Sequence, residues 1–142
     1  MDKPHKKLDL WQCAIEVTMM VYQYTESFPE KETYGLSSQM RRAAVSVSSN
    51  IAEGAARQTR KEFIQYLYIA QGSLSELDTQ LEIVKRLRYV NDPAWSNLDE
   101  NIERVDRMIS GLIRFQRSPH APHLTSHVSR LTSSNPGGTH GS

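Results

Sequence analysis

Between Arg60 and Tyr89 one stretch of helical periodicity carries two apolar seams. The first reads Phe63, Leu67, Ala70, Leu74, Leu77, Leu81, Val84, stepping by four and three. Such a heptad seam packs against a neighbouring helix. The second reads Tyr66, Ile69, Ser73, Glu76, Gln80, Ile83, Leu87, Val90, apolar at both ends and polar in the middle. A helix with one seam satisfies one neighbour, whereas this one offers contact on two sides. The pattern predicts a helical bundle that also meets other subunits.

The rest of the chain reads as three more helices. One starts at Asp9, where Asp9 with Gln12 is a capping-box pattern and Leu8 with Cys13 a hydrophobic staple. Its apolar stripes are Trp11, Ile15, Thr18, Tyr22 and Leu10, Ala14, Val17, Val21, Tyr24, Phe28, and Pro29 stops it. A second runs from about Ser37 to Glu53 on the stripe Met40, Ala44, Val47, Ile51, with Gly54 as its punctuation. Its remaining residues are small, which leaves it dependent on neighbours for stability. The long helix starts behind Thr59, which with Glu62 makes another capping box, and Asn91 ends it. Asp92 and Pro93 then open a fourth, carrying Leu98, Ile102, Val105, Ile109, Leu112 and ending near Gln116. Four helices on short links predict an all-α, antiparallel up-down four-helix bundle over residues 1–117.

From Ser118 the composition changes to Ser, His, Pro, Thr and Gly, which cannot bury enough apolar area to order itself. Residues 118–142 are therefore expected to be a disordered tail. Lys plus Arg total 17 against 16 for Asp plus Glu, so any electrostatic case rests on local clustering. The lone Cys13 excludes an internal disulfide and fits a reducing compartment. No uninterrupted apolar run marks a signal peptide or a membrane span, so the expected location is cytoplasmic, with no membrane partner.

A four-helix bundle raises the question of a di-metal carboxylate site, which needs Glu-x-x-His on two helices. The chain has no such motif, and its only histidine before the tail is His5. His120, His123, His127 and His140 read as incidental residues of the tail. The serines have no helical histidine to activate them, and Gly54, Gly72 and Gly111 are isolated, which excludes a phosphate loop. These features predict no catalysis, no metal and no cofactor. Ser46, Asn50 and Glu53 on the second helix match Ser73, Glu76 and Gln80 on the third in spacing. A buried polar row must find partners, so these six are expected to form a hydrogen-bond network that fixes helix register or subunit pairing.

Basic residues carry the remaining signal. Between Gln39 and Lys61 lie Arg41, Arg42, Arg57, Arg60 and Lys61 against one acid, Glu53. Lys85, Arg86 and Arg88 crowd one helix end, and Arg114 and Arg117 another, where cations complement the helix dipole. Arg60 and Lys61 instead sit at a helix start, where cations are disfavoured. Arg107 and Arg114 share an outward position two turns apart. Arg41, Arg42, Arg57, Arg60, Lys61, Arg107 and Arg114 are the candidate phosphate contacts.

The strings YGLSSQMRRAAVSVSSNIAEGAARQTRKE (34–62) and FIQYLYIAQGSLSELDTQLEIVKRL (63–87), with the opening LDLWQCAIEV, resemble the four-helix-bundle proteins encoded in intervening sequences of bacterial 23S ribosomal RNA genes. That group is related to the accessory variability determinant of diversity-generating retroelements. The resemblance covers about residues 8–116. Ser48 stands where the family's wording has proline, which puts the local shape of the second helix in question. The resemblance implies an up-down bundle assembled as a homopentamer, without catalysis. In the retroelement branch it implies binding of RNA or a DNA–RNA hybrid, and of a reverse transcriptase, through a basic surface. The reading that joins residues and resemblance is a non-enzymatic, homo-oligomeric, accessory scaffold for RNA or a ribonucleoprotein. The competing expectation is a protein–protein adaptor that binds no nucleic acid.

Overall fold

A computed structural model of the protein describes residues 3–118. Four helices follow in order: α1 Asp9–Thr25, α2 Leu36–Ala55, α3 Arg60–Leu87 and α4 Asp92–Arg117. Single 3-10 turns occupy Pro4–Lys7 and Glu30–Glu32, and no strand occurs among the described residues. Consecutive helices pack as antiparallel neighbours, and α4 returns onto α1 to close the up-down bundle. The expected tail, with its four histidines, lies outside the described residues except for Ser118.

The heptad seam of α3 is the spine of the core. Phe63, Leu67, Ala70, Leu74, Leu77, Leu81 and Val84 are each at most 2% exposed. They meet the α2 stripe of Met40, Ala44, Val47 and Ile51, and the α4 stripe of Leu98, Ile102, Val105, Ile109 and Leu112, all buried. From α1 come Leu10, Ala14, Val17 and Val21, with Phe28 following. Each fully buried Leu, Ile or Phe contributes on the order of 1.5–3 kcal/mol, so the stripes outweigh the weak helix propensity of α2.

The second seam of α3 divides. Ser73 and Gln80 turn toward α2 and are partly or fully buried, while Ile69, Ile83 and Leu87 are among the exposed large apolar residues. The outer surface of α3 therefore keeps an apolar stripe that its own bundle leaves uncovered.

The helix ends differ from expectation in several places. The cap of α1 is Leu8, not Asp9, and no side chain caps it. Gln12, freed from a capping box, donates to the Lys6 carbonyl at 3.1 Å. The cap of α3 is as expected: the Glu62 amide donates to Thr59 Oγ1 at 3.1 Å. That helix ends at Leu87 rather than Asn91, because Arg88 turns left-handed at φ 61°. Asn91, not Asp92, caps α4, its Oδ1 accepting from the Ala94 amide at 3.4 Å. Gly54 does not end α2, which continues to Ala55. A Cβ at Gly54 would stand 2.7 Å from Tyr66 Cβ and 2.8 Å from Phe63 Cδ1, so the missing side chain is what lets α2 and α3 approach. Ser48 leaves α2 unbroken, its hydroxyl donating back to the Val45 carbonyl at 3.1 Å.

Candidate nucleic-acid interface

Antiparallel packing decides which cations meet. The end of α2, the start of α3, the end of α4 and the N-terminal 3-10 turn all fall at one end of the bundle. Arg57 stands just beyond α2, Arg60 and Lys61 open α3, and Arg114 and Arg117 lie in the last turn of α4. Arg60 Nη1 donates to the Ser118 carbonyl at 3.1 Å and ties the α2–α3 turn to the end of α4. Lys3 and Lys6 flank the same end, because the Pro4–Lys7 turn packs against α1 and α2. Arg57 is exposed, and its ion pair with Glu53 is long, 3.9 Å. Lys61, Arg114 and Arg117 are also exposed. Burial first, then Lys6 and Lys3, push the His5 pKa below the ordinary histidine value.

Two tyrosines complete this end. The Arg57 guanidinium lies 4.7 Å from the centre of the Tyr66 ring and donates to its hydroxyl. The Arg117 guanidinium lies 5.3 Å from the centre of the Tyr68 ring. Tyr66 faces α2, where its Cβ abuts Gly54, and Tyr68 faces α4 and solvent at 43% exposure. Sequence reasoning placed Tyr66 in a seam and passed over Tyr68 and Arg117 as site residues. The signal was present in the spacing: Tyr68 follows Lys61 by two helical turns and so shares its face.

The other candidate cations lie elsewhere. Arg41 and Arg42 precede Arg57 by 16 and 15 residues, which along α2 is roughly 23 Å. Arg41 serves the end of α1. Its Nε donates to Thr25 Oγ1 at 2.9 Å, its Nη2 to the Tyr22 carbonyl at 3.3 Å, and its guanidinium covers the Tyr22 ring. The last turn of α1 holds no cation of its own, so Arg41 supplies one from α2. Arg42 is exposed and lines a shallow depression with Gln39, Ala43 and Glu76. Arg107 lines a groove between α3 and α4 with Asp78, Glu103 and Asp106. Burial raises the Asp78 carboxyl above its ordinary value, and Asp99, Glu82 and Asp106 raise it further. The middle of the α3–α4 face is thus anionic, and the end bearing Arg114 and Arg117 cationic.

The polar row forms in two parts. Ser46 Oγ and Ser73 Oγ are 2.8 Å apart across the α2–α3 contact, and Asn50 Nδ2 donates to Ser46 Oγ at 3.0 Å. On α3 alone, Gln80 Nε2 donates to Glu76 Oε1 at 3.3 Å. Glu53 stands outside the row and faces Arg57. One cross-helix contact fixes the register of α2 on α3, and the other members bond within their own helices.

The family model of the 23S rRNA-intervening sequence protein matches residues 6–111. The chain belongs to this family. The match runs from the N-terminal turn almost to the last turn of α4. Among solved structures, a protein of unknown function from the S23 ribosomal protein family of Bacteroides thetaiotaomicron VPI-5482 is similar, with 23% identity and a TM-score of 0.68. The similarity covers 74% of this chain and 95% of that one, and it shows the shared fold. No curated protein matches the chain. Among the described residues no helix is long and apolar enough to cross a membrane, and no group of three His, Cys, Asp or Glu side chains is arranged to hold a metal ion.

Proposed function

We propose that the protein is a non-enzymatic scaffold that self-associates and binds RNA through the cationic end of its bundle. One observation carries the reading. In a chain of net charge +1, the cations Lys3, Lys6, Arg57, Lys61, Arg114 and Arg117 come from three separate stretches to one end. Exposed guanidinium and ammonium groups suit phosphate contacts, which supply affinity and little sequence reading. RNA as the polyanion follows the retroelement resemblance, in which the accessory protein binds nucleic acid through a basic surface. The uncovered stripe of Ile69, Ile83 and Leu87 supports self-association, which would repeat the cationic end around the assembly. A homopentamer, and a reverse transcriptase as the protein served, extend the same proposal along the retroelement resemblance.

The test is binding of a structured RNA over a salt series. Four phosphate contacts give a log–log slope of roughly −3 to −4. Arg114→Glu with Arg117→Glu should weaken binding and flatten that slope, whereas Arg42→Ala and Arg107→Ala should leave both nearly unchanged. Affinity that is undetectable at low salt, or independent of salt, would overturn the proposal and leave the protein-adaptor reading in its place.

A further inference from the structure

We infer that the cationic end takes unpaired nucleotides rather than duplex RNA, with a base stacked at the Arg117–Tyr68 pair. The inference rests on the RNA-binding reading above and narrows its ligand class.

Tyr68 is the starting observation. It stands on the outer surface of α3, 43% exposed, and contributes nothing to the buried seam of Phe63, Leu67 and Ala70. An aromatic side chain at an exposed helix-interior position has weaker helix propensity than the straight-chain residues common there. Its ring is kept in place by a cation from another helix, the Arg117 guanidinium 5.3 Å from its centre. Lys61 lies two turns earlier on the same face of α3, and Arg114 one turn before Arg117 on α4. An aromatic face ringed by cations is the arrangement that binds single strands. The ring or the guanidinium plane stacks on a base, and the surrounding charges follow the backbone.

Around the start of α3 the arrangement recurs. The Arg57 guanidinium lies over Tyr66, 4.7 Å from the ring centre, and donates to the tyrosine hydroxyl. A strand crossing the start of α3 would pass from the Arg57–Tyr66 pair on the α2 side to the Arg117–Tyr68 pair on the α4 side, where Lys61 shares the face of Tyr68. A duplex offers neither stack an exposed base face, because its bases already stack on one another. The link between α2 and α3 is only residues 56–59, so among the described residues no long loop or protruding helix stands at this end to enter a groove.

The experiment compares a short uridine oligonucleotide with an RNA duplex of equal length, by fluorescence anisotropy at about 0.1 M salt. The single strand should bind at least tenfold tighter per molecule. Tyr68→Leu should weaken single-strand binding by roughly tenfold or more, the range expected for loss of one base–aromatic stack, while Tyr68→Phe stays within about threefold. Arg117→Lys keeps the charge and loses the plane, so affinity should fall with the salt slope unchanged. Because Tyr68 is outward-facing, thermal unfolding of each variant should match the parent. Equal or tighter duplex binding, or a Tyr68→Leu variant within twofold of the parent, overturns the inference. In the duplex case a normal salt slope would leave the broader RNA-binding proposal standing. Binding of neither RNA removes both.

Discussion

Two glycines allow one substitution to test the packing of the bundle with opposite expected signs. Gly54 and Gly72 both lie inside helices, so Gly→Ala raises helix propensity by about 1 kcal/mol at each. At Gly72 a Cβ would have nothing within 4 Å. Gly72→Ala should therefore keep most of the gain and raise Tm by roughly 2–4 °C. At Gly54 the new Cβ would meet Tyr66 Cβ at 2.7 Å and Phe63 Cδ1 at 2.8 Å. Tyr66 Cβ is fixed to the α3 backbone and cannot swing aside, so the two helices must part by several tenths of an ångström. Overpacking of that kind costs about 1–3 kcal/mol, more than the propensity gain, and also loosens the Ser46–Ser73 contact. The net effect should be a loss of up to about 2 kcal/mol, read as a lower midpoint in urea with unchanged slope. Both variants are compared at matched protein concentrations, low enough that self-association does not contribute. A Gly54→Ala variant as stable as the parent, or more so, would refute the account of how α2 and α3 meet.

Two further outcomes follow from titratable groups. The folded bundle raises the Asp78 carboxyl, mainly through burial and then through Asp99, Glu82 and Asp106. The fold thus favours the protonated form, and ionised Asp78 is a penalty that applies above the ordinary carboxylate range and fades as pH falls below it. Asp78→Asn should raise Tm at pH 7, with the gain gone by about pH 3; a gain that persists undiminished in acid would contradict the assignment. Burial also raises the Cys13 thiol, with Arg104 acting in the opposite sense and Glu16 and Asp9 adding to the rise. Cys13 should react with a thiol-specific disulfide reagent far more slowly in the native protein than in denaturant, and similar rates in the two states would show that the thiol is not buried.

Much of the fold was legible because it rests on periodicity. All seven residues of the α3 heptad seam are in the core, and so are the stripes assigned to α2 and α4. The Thr59 cap was readable because a hydroxyl three residues before a glutamate satisfies helix N–H groups locally. What failed to show depends on the third dimension. Gly54 looked like a stop signal, yet it is a place where two backbones come close, and spacing within α2 cannot show what approaches it from outside. The end of α3 carries no glycine, so the left-handed turn at Arg88 left no trace in composition. The arginines were readable as a group but not as a site. Arg41 lies in a run with Arg42, but it reaches the end of α1, where it bonds the Tyr22 carbonyl and the Thr25 hydroxyl. Arg117 was explained by the dipole of its own helix, although the tyrosine it covers belongs to α3.

The cationic end is assembled from stretches around residues 3–6, 57–61 and 114–117, the last two joined where Arg60 reaches the Ser118 carbonyl. No one of these stretches holds the full set of charges, so the proposed recognition surface comes into being only when first and last helices have docked. A polyanion that engages it must then draw the folding equilibrium toward the native state by mass action, and chain cleavage that released α4 would silence the surface without touching a single contact residue. Under the proposed function, occupancy of this end and the stability of the whole bundle would be thermodynamically linked.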